Sequence, residues 1–179
     1  FIVSDAAGGI FVFNAQSGDL IWSQKNAHKL GALSTAIHPL DNTFVTTGQD
    51  GRILFWNTTE NKAQNSIDLG HKWIEHAAWS LDGTLLAVSY ARKVSVYNES
   101  GDELWQSDDH PSTINQIAWS TQNELATASY SQVNFFDGLS GARKQKLEWK
   151  GSLISMILSP DSDIVACGSQ DNSVHFWRR

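Results

Sequence analysis

Six histidines are the side chains of this 179-residue sequence with the widest chemistry to offer. Two of them stand close together in His71-Lys72-Trp73-Ile74-Glu75-His76. A His-x-x-Glu-His stretch on a helix would aim both imidazoles at one zinc ion. Here the spacing is one residue longer and the surroundings read as strand, so His71 is expected to be structural. His38, His76 and His175 have no acidic or cysteine partner at ligand spacing, and are expected to be packed or solvated. Cys167 is the only cysteine. It allows no intrachain disulfide and no cysteine-built zinc or iron–sulfur site, and between Ala166 and Gly168 it reads as a buried, inert thiol. No Gly-x-Ser-x-Gly elbow, phosphate-binding Gly-Lys-Ser/Thr loop or Asp/Asn-rich calcium loop occurs. The residues therefore predict no catalytic group, no metal and no cofactor. Arg143, Lys144, Lys146 and Lys150 cluster on what reads as an outer strand, where charge guards a sheet edge against strand addition.

Composition narrows the partners. A net charge of −6 disfavours a non-specific grip on nucleic acid or on an anionic membrane, both of which need a positive field. An apolar fraction of 41% with 18% charged residues suits a packed core rather than a disordered chain. The longest apolar runs, such as Gly9-Ile10-Phe11-Val12-Phe13, fall far short of the roughly 20 residues of a membrane-spanning helix. The expectation is a partner that is neither nucleic acid nor membrane.

The elements that must position these groups repeat along the chain. Ile53-Leu54-Phe55-Trp56, Val94-Ser95-Val96-Tyr97, Val133-Asn134-Phe135-Phe136 and Val174-His175-Phe176-Trp177 close on aromatics spaced by 41, 39 and 41 residues. Ile37-His38-Pro39, Trp79-Ser80-Leu81, Trp119-Ser120-Thr121 and Leu158-Ser159-Pro160 step by 42, 40 and 39. His28, His71 and His110 open three of the units, and Trp149-Lys150-Gly151 stands at that place in the fourth. Within each unit, β-branched and aromatic runs alternate with turns such as Leu81-Asp82-Gly83 and Gln49-Asp50-Gly51, the pattern of short antiparallel strands. No window of ten or more residues carries a 3.6-residue apolar period, so no helix is predicted.

A period near 40, a His near the start of the unit, an Asp in the last tight turn and a Trp six residues later resemble the WD-repeat β-propellers, over essentially the whole chain. The resemblance implies an all-β propeller of four-stranded antiparallel blades. The chain would cover four to five of them, out of a ring of about seven. The segments would be 1–26 (partial), 27–69, 70–108, 109–148 and 149–179 (partial). It implies further that His28, Thr46, Asp50 and Trp56 form a buried structural network, Asp to His, His to Thr, Thr to the Trp indole. Departures are plain. Ala91 and Ala87 replace Asp and Ser/Thr in the second full unit, the third has a turn one residue shorter without Asp, and the last keeps Asp171 and Trp177 but has Cys167 for Ser and no His. The strand pattern begins and ends inside a unit, which reads as a piece of a longer propeller, with other domains of a parent chain or self-association completing the ring.

A second propeller family is also echoed. Gly18-Asp19-Leu20-Ile21-Trp22 and Gly101-Asp102-Glu103-Leu104-Trp105 resemble the Gly-x-x-x-Trp outer turn of quinone-dehydrogenase-like propellers, which gives an enzymatic or ligand-binding alternative. The plainer reading is a Gly turn before a strand whose Trp packs between blades. The WD-type resemblance implies a non-catalytic scaffold that takes a protein or peptide on its channel face. Carried over by position, that face presents Lys29 and Gln49, then Trp73, Tyr90 and Arg92, then Ser112 and Tyr130, then Ser152 and Gln170. Trp73, Tyr90 and Tyr130 would supply the aromatic contacts that dominate interface energies.

Overall fold

The computed structural model describes residues 1–179, and every regular element in it is a β-strand. The chain divides into two compact units, Phe1–Ala77 and Ala78–Arg179. In the first, β1 (Ile2–Ser4), β2 (Ile10–Phe13) and β3 (Leu20–Gln24) form a three-stranded sheet. A four-stranded sheet follows in the order β4 (Ala32–Ile37), β5 (Thr43–Gly48), β6 (Arg52–Asn57), β7 (Asn65–Asp68). Neighbours are antiparallel. One face of the first sheet, through Ile10, Val12 and Trp22, packs on Phe44, Leu54 and Trp56 of the second. The rings of Trp22, Phe44 and Trp56 lie 5.8–6.2 Å apart. Burial of each such side chain is worth about 1.5–3 kcal/mol.

β8 (His76–Trp79) spans the division between the units and opens a four-stranded sheet ordered β11 (Glu103–Gln106), β10 (Lys93–Asn98), β9 (Leu85–Tyr90), β8. β12 (Gln116–Trp119), β13 (Glu124–Asp137), β14 (Arg143–Leu158), β15 (Ile164–Ser169) and β16 (Val174–Arg178) make a five-stranded sheet in chain order. The face-on-face packing recurs here. Leu85, Ala87, Val94 and Val96 meet Ile114, Ile117, Trp119 and Leu125, and Ala126, Ala128, Val133 and Phe135 meet Leu153, Met156, Val165 and Cys167.

Turn chemistry sets the strand lengths. Gly51 and Gly83 follow Asp50 and Asp82 with φ of 75° and 76°, the left-handed conformation that glycine reaches without strain. Asp41, Asp82 and Asp161 each accept hydrogen bonds within two residues, closing the turns between the first two strands of their repeats. β13 bends at Ser131, where φ is 61°. Its residues 125–128 pair with β12 and its residues 132–136 with β14. β14 is also shared, since its residues 143–148 pair with β13 and 153–158 with β15. The boundary expected between two repeats, at 148 and 149, thus lies inside one continuous strand. The backbone stays extended through Gly151.

Candidate functional site

The best-defined polar cluster is buried in the first unit. His28 sits in the loop before β4, Thr46 in β5, Asp50 in the β5–β6 turn and Trp56 in β6. Asp50 Oδ1 lies 2.9 Å from His28 Nδ1, His28 Nε2 lies 2.9 Å from Thr46 Oγ1, and Trp56 Nε1 donates to the same oxygen at 2.9 Å. With a neutral imidazole, one set of proton positions satisfies all three contacts. Nδ1–H donates to the carboxylate, so Nε2 accepts from the Thr46 hydroxyl, whose oxygen accepts the indole N–H. Asp50 Oδ2 also takes the backbone N–H of Lys29 at 3.0 Å. Burial pushes the Asp50 carboxyl up, but the hydrogen bonds from the His28 ring and from the backbone of Lys29 and Arg52 together hold it below the usual value.

The second unit builds a variant. His110 is buried, and its Nε2 lies 2.9 Å from Thr127 Oγ1. With no Asp available, its Nδ1 donates instead to the backbone carbonyl of Arg92 at 3.0 Å. Arg92 Nε donates back to the His110 carbonyl at 2.8 Å, and its guanidinium lies 3.2 Å from Asp109. Burial pulls the His110 imidazole below its ordinary pKa, against the raising effect of the Arg92 and Asp108 backbone. Thr127 was legible in principle. It precedes Phe136 by nine residues where Thr46 precedes Trp56 by ten, the difference being the shortened turn. The Arg92 carbonyl carries no sequence signal, because any residue could supply it.

The remaining histidines go elsewhere. His71 is exposed and makes no such network, because the partner positions hold Ala87 and Ala91. That corrects the structural role expected for it. Trp149, at the histidine position of the last repeat, packs against His175 with centroids 3.5 Å apart and rings tilted by 33°, and Asp171 is exposed and bonded to Ser173. Cys167 is buried and its thiol is pushed up to about 11 by burial. No group of three or more His, Cys, Asp or Glu side chains comes close enough together to hold a metal ion. In the basic stretch, Lys144 pairs with Asp137 and Lys146 with Glu148 on exposed strand. Both outer-strand tryptophans act as latches, Trp22 Nε1 donating to Thr58 O and Trp105 Nε1 to Gly138 O, each at 2.7 Å.

The residues expected to meet a partner sit on tied-down turns. In the first unit, Gln49 N donates to Gly31 O and Ile74 N to Gly48 O, so the β5–β6 turn is bracketed by the loops that carry Lys29 and Trp73. Trp73 is 56% exposed and Lys29 is also exposed. In the second unit a chain of bonds joins successive turns. His110 N donates to Arg92 O, Tyr130 N to Ser112 Oγ, and Gln170 N to Ser152 O, while Tyr130 pairs with Ser152 across β13 and β14. Tyr130 is 50% exposed, and Arg92 and Gln170 are exposed as well. Tyr90 is the exception and corrects the expected aromatic patch. It is only 4% exposed, with its hydroxyl 3.0 Å from Ser95 Oγ and 2.6 Å from Gln106 Nε2. Buried and bonded in this way, it presents no contact surface.

The family described as WD domain, G-beta repeat matches this chain over residues 18–57 and 143–178. Serine-threonine kinase receptor-associated protein from Mus musculus is 20% identical over 141 residues, which make up 77% of this chain. The chain spans about 40% of the length of that relative.

Proposed function

We propose that this chain, which carries WD repeats, works as a non-catalytic docking platform whose anchored turns hold a protein or peptide. WD repeats make scaffolds for protein interaction, and the all-β sheets here match such blades. The observation that carries the reading is the pairing of exposure with rigidity. Trp73 and Tyr130 leave half or more of their surface open while their own turns are pinned by backbone hydrogen bonds. Aromatics held in this way lose little conformational freedom on binding, the condition under which they become interface hot spots. Lys29 and Gln49 join Trp73 in the first unit. Arg92 and Gln170 join Tyr130 in the second. The mouse relative is named for association with a serine-threonine kinase receptor, which is in keeping with a protein ligand; the receptor itself is not carried over to this chain. The acidic net charge of −6 directs the reading away from nucleic acid and anionic membrane.

The test compares proteins captured by the immobilised chain with those captured by Tyr130→Ala and by Leu139→Ala, a control in the exposed turn at the other end of the same strands. Species held by the unaltered chain and by Leu139→Ala but lost from Tyr130→Ala support the reading, provided both variants melt within about 2 °C of the parent. Identical capture by all three contradicts it.

A further inference from the structure

Each unit holds a cleft beside a central strand of a repeat, and the two are lined by different side chains at equivalent positions. In the first unit a cleft of about 370 Å³ is lined by Arg52, Leu54 and Trp56 of β6. In the second, a cleft of about 410 Å³ is lined by the equivalent positions of β13, Gln132, Asn134 and Phe136. Alternate residues of a strand share a face, so one apolar side chain, Leu54, has been exchanged for an amide. Asn134 is 2% exposed, and its Oδ1 has no hydrogen-bond partner and is closed to water in this conformation, so a ligand in the cleft reaches it only once the side chain turns. The intervening repeat also has a polar residue here, Ser95, but that hydroxyl is bonded to Tyr90 and Glu103. Beside Asn134 lies a second amide, Gln132, at 7% exposure.

An unpaired buried amide oxygen costs about 1–3 kcal/mol and calls for an explanation. The chemistry of the lining specifies the group that would satisfy it. The inner wall is neutral, with Asn134, Gln132 and a His110 whose two ring nitrogens are already bonded. The charges stand at the exposed rim. Asp108 and Arg143 are opposite in sign, and Asp109 is paired with Arg92. An ion pushed inward would be stripped of water without a buried counter-charge. A neutral group that both donates and accepts meets the wall on its own terms. We propose that this cleft is a binding site for a carboxamide, namely the side chain of an asparagine or glutamine in a bound peptide. The platform reading enters only in naming a peptide as the source of the amide. The chemistry of the cleft stands apart from it.

The test titrates the isotope-labelled chain with N-acetyl-glutamine methylamide and follows the side-chain NH₂ signals of Asn134 and Gln132. N-acetyl-glutamate methylamide, N-acetyl-norleucine methylamide and glucose serve as comparisons. A saturable shift for the glutamine probe alone, with a dissociation constant on the order of 1–10 mM for so small a ligand, is the expected result. Asn134→Leu, which installs the residue of the first unit, should abolish the shift and raise the melting temperature, because it removes an unpaired polar group. The proposal is overturned by no shift, by equal shifts with glutamate or norleucine, by a shift with glucose instead, or by a lowered melting temperature for Asn134→Leu, which would show that the amide is bonded within the fold. Failure here with capture still lost in Tyr130→Ala would leave the platform reading standing.

Discussion

Thr46 holds three side chains together with one hydroxyl, and the consequence can be read from what its loss orphans. Thr46→Val keeps the shape but leaves His28 Nε2 and Trp56 Nε1 buried without partners. A loss of about 2–4 kcal/mol in urea titration is expected. His110 predicts a pH effect. Its folded pKa is depressed by burial, so the unfolded chain binds the proton more readily. The stability it contributes is fully present above about pH 6.5, the unfolded value, and is lost as pH falls below it. Melting temperature should therefore drop between pH 7 and pH 5.5, with a shallower drop in His110→Gln. The spacing of His28, Thr46, Asp50 and Trp56 was legible because each role demands a particular side-chain chemistry. Tyr90 was not, since whether a ring at a strand end turns outward or inward depends on Ser95 and Gln106, which lie on two other strands.

Elements were legible where the turn residues are. Asp-Gly and Asx turns announce themselves, and so does the apolar run that buries Ile53, Leu54 and Trp56 in β6. Gly51 shows how tightly such a turn is specified. Its φ is 75°, and a Cβ built there would fall 1.8 Å from Gly70 O. Gly51→Ala is accordingly expected to lose more than about 2 kcal/mol by denaturant titration, beyond the usual penalty of a left-handed alanine. What the sequence concealed is continuity. The repeat pattern divides the chain between 148 and 149, but pairing on both sides keeps β14 extended from one repeat into the next. The Gly-x-x-x-Trp stretches resolve at this scale too, because each tryptophan latches its outer strand to a turn carbonyl. Trp22→Phe should cost about 1 kcal/mol through that bond, and Trp22→Ala about 3–5 kcal/mol through the cavity left among Phe44 and Trp56.

At the scale of the molecule, two units of repeated sheet offer well-anchored turns and no assembled cluster of metal-binding side chains. The repeat period made this architecture readable, since a fixed step of about 40 residues survives even where the signature residues have gone. Exposure at each turn was not readable, because it depends on packing that differs from one repeat to the next. Trp73 and Tyr130 contribute little to their own cores, so Trp73→Ala and Tyr130→Ala should each change stability by no more than about 0.5 kcal/mol. The most direct test of the platform places a photo-reactive phenylalanine analogue, one variant at a time, at positions 73 and 130 and at the exposed control positions 40 and 139. Illumination with cell extract is expected to give discrete cross-linked proteins from 73 and 130 and none from 40 or 139. Adducts from all four positions alike, or from the controls alone, would contradict the account.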